Sequence, residues 1–279
     1  MTFGGLVGQE VRAHSVSTGR ETARFFGLRA PDRLFRSAPQ DYDAVFRTVE
    51  DLERAAASGL PSRARALFNN SKISNELQLR RSEEYMPPRF LAALRRQAWP
   101  YSEQLLGASG ASELRSRLAG GVTLVLHVRR GDLRRNKRDA GRLIPDEWYF
   151  DMLRAIRQHA PAVDVHVFSS TEGFYRREDF RGYERRGARV HLDGDPLRAW
   201  AFCSRAHIFV MSASAFSYVP AVLNPGCVIY PRHFPHALFL AHWLDGGDPS
   251  RPGFDQALRE CVARGAAAAG TTPRAAGGT

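Results

Sequence analysis

Val122-Thr-Leu-Val-Leu-His-Val-Arg-Arg-Gly-Asp132 is an apolar run that ends in two arginines, a glycine and an aspartate. A continuous β-branched and aliphatic run of this length reads as a parallel strand buried on both faces. Ligands of open α/β sheets bind where such strands end. Arg129 and Arg130 would then stand at the rim of a crevice. A guanidinium is a planar fork that grips phosphate oxygens in pairs. Gly131 lets the backbone approach a ligand without a Cβ in the way. The segment therefore reads as a strand that delivers arginines to a phosphorylated ligand.

Downstream of this strand, elements of the two kinds alternate. A polar basic loop covers 131–143. Pro145 opens a helix at Asp146-Glu-Trp-Tyr-Phe-Asp-Met-Leu, with acids in its first turn and arginines later. Val163–Ser170 is predicted as a strand, Phe174–Tyr183 as helix and Arg189–Leu192 as a strand. Pro196–Arg205 is predicted as helix, His207–Met211 as strand, Ser217–Leu223 as helix and Cys227–Tyr230 as the last strand. Short connections between alternating elements imply a parallel sheet with crossover helices, a Rossmann-like α/β unit. Upstream, the spacing of Tyr42, Val45, Phe46, Val49 and Leu52 predicts a helix ending near Gly59, and a second helix starts at Pro87 and Pro88. No strand is expected before residue 122. The division expected is a mainly helical region over 1–120, a sheet domain over 121–264 and a disordered Ala/Gly-rich tail over 265–279.

The 279 residues suffice for one large domain or two small ones, and 43% apolar content is that of a globular chain with a core. The net charge of +11, with a pI near 10.3, points to an anionic partner or substrate. Cys203, Cys227 and Cys261 form no CxxC pair and no zinc pattern, so at least two of them are expected as buried small hydrophobes. No apolar run reaches the roughly 18 residues of a membrane span. Asn69-Asn-Ser71 is a glycosylation sequon of the kind that chance often produces.

Three strand ends carry polar residues: His127, Arg129, Arg130 and Asp132 on the first, Ser169, Ser170, Thr171 and Glu172 on the second, and Ser212 to Ser217 on the third. Hydroxyls and free amides at a helix N-terminus suit phosphate oxygens. For Ser212–Ser217 the plainer alternative is an N-cap and turn. Asp193-Gly-Asp195 has the form of a metal-binding D-x-D, but Asp195 followed by Pro196 also reads as a helix cap.

His127-Val-Arg-Arg-Gly-Asp132 resembles the H-x-R-R-x-D motif of α1,2- and α1,6-fucosyltransferases. Phe209-Val-Met-Ser-Ala-Ser-Ala-Phe-Ser-Tyr-Val-Pro-Ala-Val-Leu-Asn224 is similar to their later S-x-S-x-F-S segment, and Phe168-Ser-Ser170 lies between the two in the same order. The resemblance covers about residues 122–235. It implies a GT-B-like fold and transfer of fucose from GDP-fucose to a glycan hydroxyl, with no obligatory metal and no cofactor. Arg129 would hold the β-phosphate with Arg130 nearby. Ser169, Ser212, Ser214, Phe216 and Ser217 would line the donor site, His127 would shape its floor, and Asp195 would reach the nucleotide. The acceptor hydroxyl needs a general base. Asp132 and Asp139 are the nearest carboxylates in sequence, with a turn-capping or arginine-pairing role open for Asp132. The partners implied are a nucleotide sugar and a glycan, not nucleic acid and not a membrane span. Related proteins occupy the bacterial cytoplasm and the Golgi lumen, and the chain, soluble as given, carries no anchor that decides. Two other readings stay open. One is a homologue that binds a nucleotide sugar without turnover. The other is a nucleic-acid binder, suggested by the pI and by Arg134-Arg-Asn-Lys-Arg138.

Overall fold

A computed structural model describes residues 44–46, 66–68, 88–107, 118, 121–131, 133, 143–231 and 240–268. The chain divides into two compact units. One comprises Met1–Tyr101 with Pro235–Ala241, the other Ser102–Phe234 with His242–Thr279.

In the first unit β1 (Ala44–Phe46) pairs in parallel with β2 (Ala66–Phe68), Val45 opposite Leu67. This corrects two expectations: within the helix predicted from Tyr42 to near Gly59, residues 44–46 are strand while the rest lies outside the described residues, and strands do occur before residue 122. Adjacent Val45 and Phe46 favour an extended backbone as much as a helical one. What decides between them is pairing with a segment about twenty residues away, which local spacing does not reveal. Helix α1 (Pro88–Gly107) begins as expected at its Pro pair.

The second unit is built on six parallel strands: β3 (Thr123–His127), β4 (Asp164–Ser169), β5 (Arg189–Leu192), β6 (Ile208–Val210), β7 (Cys227–Tyr230) and β8 (Leu244–Asp245). Their order across the sheet is β5-β4-β3-β6-β7-β8. Counted from β3 this is third, second, first, fourth, fifth, sixth, the order of a Rossmann fold. The expected α/β class stands. The order reverses between β3 and β6, whose register sets Leu126 beside Val210. β3 is buried at every residue, as its unbroken apolar run requires.

Helix α2 (Asp146–His159) presents Tyr149, Met152, Leu153 and Ile156 to the sheet, one helical stripe. Burying each contributes roughly 1.5–3 kcal/mol. The stretch predicted as helix over 174–183 is a 3₁₀ turn (Arg177–Phe180) running into a single turn, α3 (Arg181–Glu184). Helix α4 (Pro196–Arg205) opens with Asp195 as N-cap, its carboxylate accepting from the Arg198 amide at 2.8 Å. Helix α5 (Ala215–Leu223) starts two residues earlier than predicted, capped by Ser214. Asn224 closes it. Its Nδ2 donates to the carbonyls of Cys203 (2.9 Å) and Ala206 (2.8 Å), and its Oδ1 accepts from the Gly226 amide (2.7 Å). One buried amide thus sews the start of β6 to the start of β7.

Helix α6 (Phe254–Ala268) and strand β8 were not anticipated, and Cys227–Tyr230 is not the last strand. The disorder expected from Gly265 fails over 265–268, which are helical, while 269–279 lie outside the described residues. The packing explains this. A Cβ on Gly265 would stand 2.2 Å from the His207 carbonyl oxygen, so a bare Cα lets the helix press onto the sheet. The cysteines hold a second correction. Cys227 and Cys261 form a disulfide that fastens α6 to β7, whereas Cys203 is a buried free thiol as expected.

Candidate functional site

The point where the strand order reverses is occupied by His127, the last residue of β3, and by the chain leaving β6. Ser212 Oγ lies 2.9 Å from His127 Nδ1 and 3.0 Å from Ser217 Oγ. The Ser212 amide donates to Ser217 Oγ at 3.0 Å, and Ser217 Oγ also meets His127 Nδ1. Phe216 packs on the imidazole, with 4.8 Å between ring centres, and on Trp200 at 5.4 Å. Burial, with the nearby charge of Arg129, pushes the His127 pKa down to about 3. The ring is neutral at physiological pH and works as a hydrogen-bonding post between two strands. Ser214 caps α5, its Oγ accepting from the Phe216 amide at 3.1 Å and its carbonyl accepting from the Ser217 amide at 3.0 Å. The segment is thus an N-cap and turn, as the plainer reading had it, set at the reversal point of the sheet.

The two arginines part company. Arg130 is buried and its guanidinium pairs with Asp146 at the start of α2 while donating to the Arg129 carbonyl at 2.9 Å. Tyr183 donates to the same carboxylate at 2.6 Å, and Tyr149 donates to the His127 carbonyl at 3.1 Å. Burial alone would lower the pKa of Arg130, but Asp146 and the two phenols more than offset it and hold it raised. Burial also drives both phenols well above their ordinary range, so they remain donors. Arg130 is thus committed to the wall behind the loop. Arg129 is half-buried at the carboxyl end of β3.

The chain leaving β4 is tied to the ends of β3 and β5 on either side of it. Ser169 Oγ donates to the Val128 carbonyl. Asp193 sits at φ +56°, and its carboxylate accepts from Ser170 Oγ (2.9 Å), the Thr171 amide (2.8 Å) and Thr171 Oγ1 (2.5 Å). The Thr171 hydroxyl and amide bonds, with that of Ser170, keep the Asp193 pKa lowered. The Glu172 amide donates back to Ser170 Oγ at 3.0 Å. The loop after β4 also abuts the loop after β3. The Gly131 amide donates to the Ser170 carbonyl (3.3 Å), and a Cβ on Gly173, at φ +89°, would lie 3.2 Å from the Gly131 oxygen. Both carboxylates of the D-x-D are therefore engaged within the protein, Asp193 as a loop clamp and Asp195 as a helix cap.

Of the residues expected at the site, His127, Ser212, Ser214, Phe216 and Ser217 form one cluster at the reversal point, with Arg129 two residues beyond His127 on the same chain. Ser169, Arg130 and Asp195 spend their polar atoms on neighbouring strand, helix and cap. Asp132 and Asp139 lie outside the described residues. Asp146, Tyr149 and Tyr183 were not anticipated as parts of the site. The acid in the first turn of α2 was visible only as a complement to the helix dipole. Nothing local reveals that its partner is sixteen residues back.

The chain matches no protein-family model and no curated protein. Solved structures that resemble it include three trehalose-phosphate synthases. One is a UDP-forming α,α-trehalose-phosphate synthase from Burkholderia vietnamiensis, with 16% identity over 61% of this chain and 42% of that one, at TM-score 0.39. The second is an α,α-trehalose 6-phosphate synthase from Burkholderia multivorans, with 14% identity over 82% and 54%, at TM-score 0.45. The third is a UDP-forming synthase from Burkholderia xenovorans, with 12% identity over 82% and 56%, at TM-score 0.41. The chain spans about half the length of these structures. Among the described residues, no helix is long and apolar enough to cross a membrane.

Proposed function

We propose that the protein is a nucleotide-sugar-dependent glycosyltransferase of GT-B-like build, with the donor's diphosphate seated over the carboxyl ends of β3 and β6. The observation that carries this reading is the convergence, at the reversal of a Rossmann strand order, of His127, Ser212 and Ser217 with the N-terminus of α5. Negative charge grows on a nucleoside diphosphate as its glycosidic bond breaks. A fixed guanidinium and the positive end of a helix stabilise that charge without rearranging. Arg129 is assigned the first part and α5 the second. Ser212 and Ser217 orient the floor through the neutral His127. Arg130, held by Asp146, positions the Arg129 backbone rather than touching the donor.

The fucosyltransferase resemblance of residues 122–235 supports GDP-fucose as donor and a glycan hydroxyl as acceptor. The proton of that hydroxyl goes to a carboxylate, for which Asp132 and Asp139 are the sequence candidates. The reaction needs no metal on this reading, since the Arg129 guanidinium and the N-terminus of α5 neutralise the leaving group.

Calorimetric titration of GDP, UDP and GDP-fucose into wild type and Arg129→Ala, with EDTA present, tests the proposal. Binding of GDP and GDP-fucose by wild type that is lost in the variant is the expected result. A correctly folded wild type that binds no nucleotide would overturn it. Donor binding without transfer to any glycan in an acceptor screen would favour the binding-only reading.

A further inference from the structure

We propose that Tyr149 is a positioning residue that, together with Ser217, holds open the seam between β3 and β6 at the donor's diphosphate site, an inference that rests on the nucleotide-sugar reading above. The two strands are paired as far as Leu126 and Val210. Backbone groups of a parallel strand turn alternately to its two neighbours. The Val128 amide donates to the Phe168 carbonyl on β4 at 3.0 Å, so the His127 carbonyl before it faces β6. On β6 the Met211 amide donates to the Ile229 carbonyl of β7 at 2.9 Å, so the Ser212 amide after it faces β3. One more step of the ladder would join that amide to that carbonyl.

The ladder stops short of that step, and a hydroxyl takes each group instead. Ser217 Oγ accepts from the Ser212 amide at 3.0 Å, and the Tyr149 hydroxyl donates to the His127 carbonyl at 3.1 Å. All four residues are buried, where an unpaired backbone group costs more than a made bond returns. The seam therefore stays open because two side chains stand in for two missing ladder partners, and it opens at the reversal point, where ligands of such sheets bind. Tyr149 is itself fixed for this task. It lies on the buried stripe of α2, and the first turn of that helix is held by Asp146, which pairs with Arg130 and accepts from Tyr183 at 2.6 Å. The next two carbonyls are also held by side chains, that of Val128 by Ser169 and that of Arg129 by Arg130 at 2.9 Å. Of the three bonds, the one from Tyr149 is on the seam, and Arg129 leaves the strand two residues beyond it.

The test uses Tyr149→Phe, Ser217→Ala and the double variant. Each single change strands one of the two backbone groups, whereas in the double variant the stranded groups face each other and pair, closing the seam. Calorimetry on folded protein should show GDP binding about five-fold or more weaker in each single and no better in the double. The urea midpoint should drop in each single, and the double should recover part of that loss instead of adding the two. Hydrogen exchange at the Ser212 amide should speed up in Ser217→Ala and slow again in the double. Stability regained without binding regained is an outcome that a merely structural role does not produce. Additive midpoints, or a Ser212 amide as fast in the double as in the single, overturn the seam. Unchanged GDP affinity in Tyr149→Phe overturns the positioning role while leaving the nucleotide site intact. A wild type that binds no GDP removes the nucleotide reading and this inference with it.

Discussion

The Cys227–Cys261 disulfide closes a loop of 34 residues between the first residue of β7 and the middle of α6. Loop-closure entropy for that length stabilises the fold by about 4 kcal/mol through restriction of the unfolded chain. Both sulfurs are buried, so replacing them with Ala also removes some packing. Against the roughly 5–15 kcal/mol that holds a typical domain together, this is a large share. Thermal unfolding of the Cys227→Ala/Cys261→Ala variant should fall by about 10 °C for a body of this size. Reduced wild type should fall as far. Thiol titration gives an independent reading. The Cys203 thiol is fully buried, and burial pushes its pKa up, so it reacts only on unfolding. Protein folded under oxidising conditions should show one reactive thiol when denatured, and three after reduction. Three thiols in the unreduced denatured protein, or equal melting of reduced and oxidised forms, would refute the reasoning.

Three further outcomes are expected. His127 and His207 are both held neutral by burial, and the latter accepts the Thr123 amide at 2.8 Å. Their folded pKa values lie below the unfolded value of about 6.5, so below that pH the unfolded chain binds more protons. Stability should be complete above about pH 6.5 and decline as pH falls, His127 alone contributing a loss of about 2 kcal/mol by pH 5. Urea midpoints that stay flat from pH 7 to 5, or an unaltered slope in His127→Gln, would contradict this. Asp146→Asn should destabilise the protein by about 3–5 kcal/mol by leaving the buried Arg130 charge uncompensated, and adding Arg130→Met should recover much of it. Denaturant unfolding of the two singles and the double checks the coupling. Arg129→Ala should lose nucleotide binding in calorimetry while Arg130→Ala chiefly lowers denaturant stability, separating the adjacent arginines by assay.

Much of the second unit was legible because its information is local. The β3 run is apolar at nearly every position, Asp195-Pro196 marks a helix start, and Ser214 stands where a cap belongs. The parallel sheet with crossover helices then follows from the alternation of strand and helix. What escaped the sequence depends on distant partners. Val45-Phe46 becomes a strand only with Leu67 and Phe68 beside it. Arg129 and Arg130 are indistinguishable in sequence, and it is Asp146 on the following helix that separates them. The last turn of α6, from Gly265, reads as a disordered tail because its Ala and Gly look featureless. Gly265 is there for the close approach to the His207 carbonyl, a demand set by the sheet.

Asp193 narrows what evolution can place at its position. Its backbone is left-handed, a conformation that glycine adopts freely and most side chains resist. Its carboxylate meanwhile ties down the Ser170–Thr171 rim. The replacement that would relax the chain there, glycine, is also the one that would cut the rim loose. Asparagine keeps the backbone and one acceptor oxygen but not the charge, and alanine keeps neither. A homologue carrying glycine at 193 would have exchanged an ordered rim for an easier turn, and the residue found there becomes a readout of whether that rim is still in use.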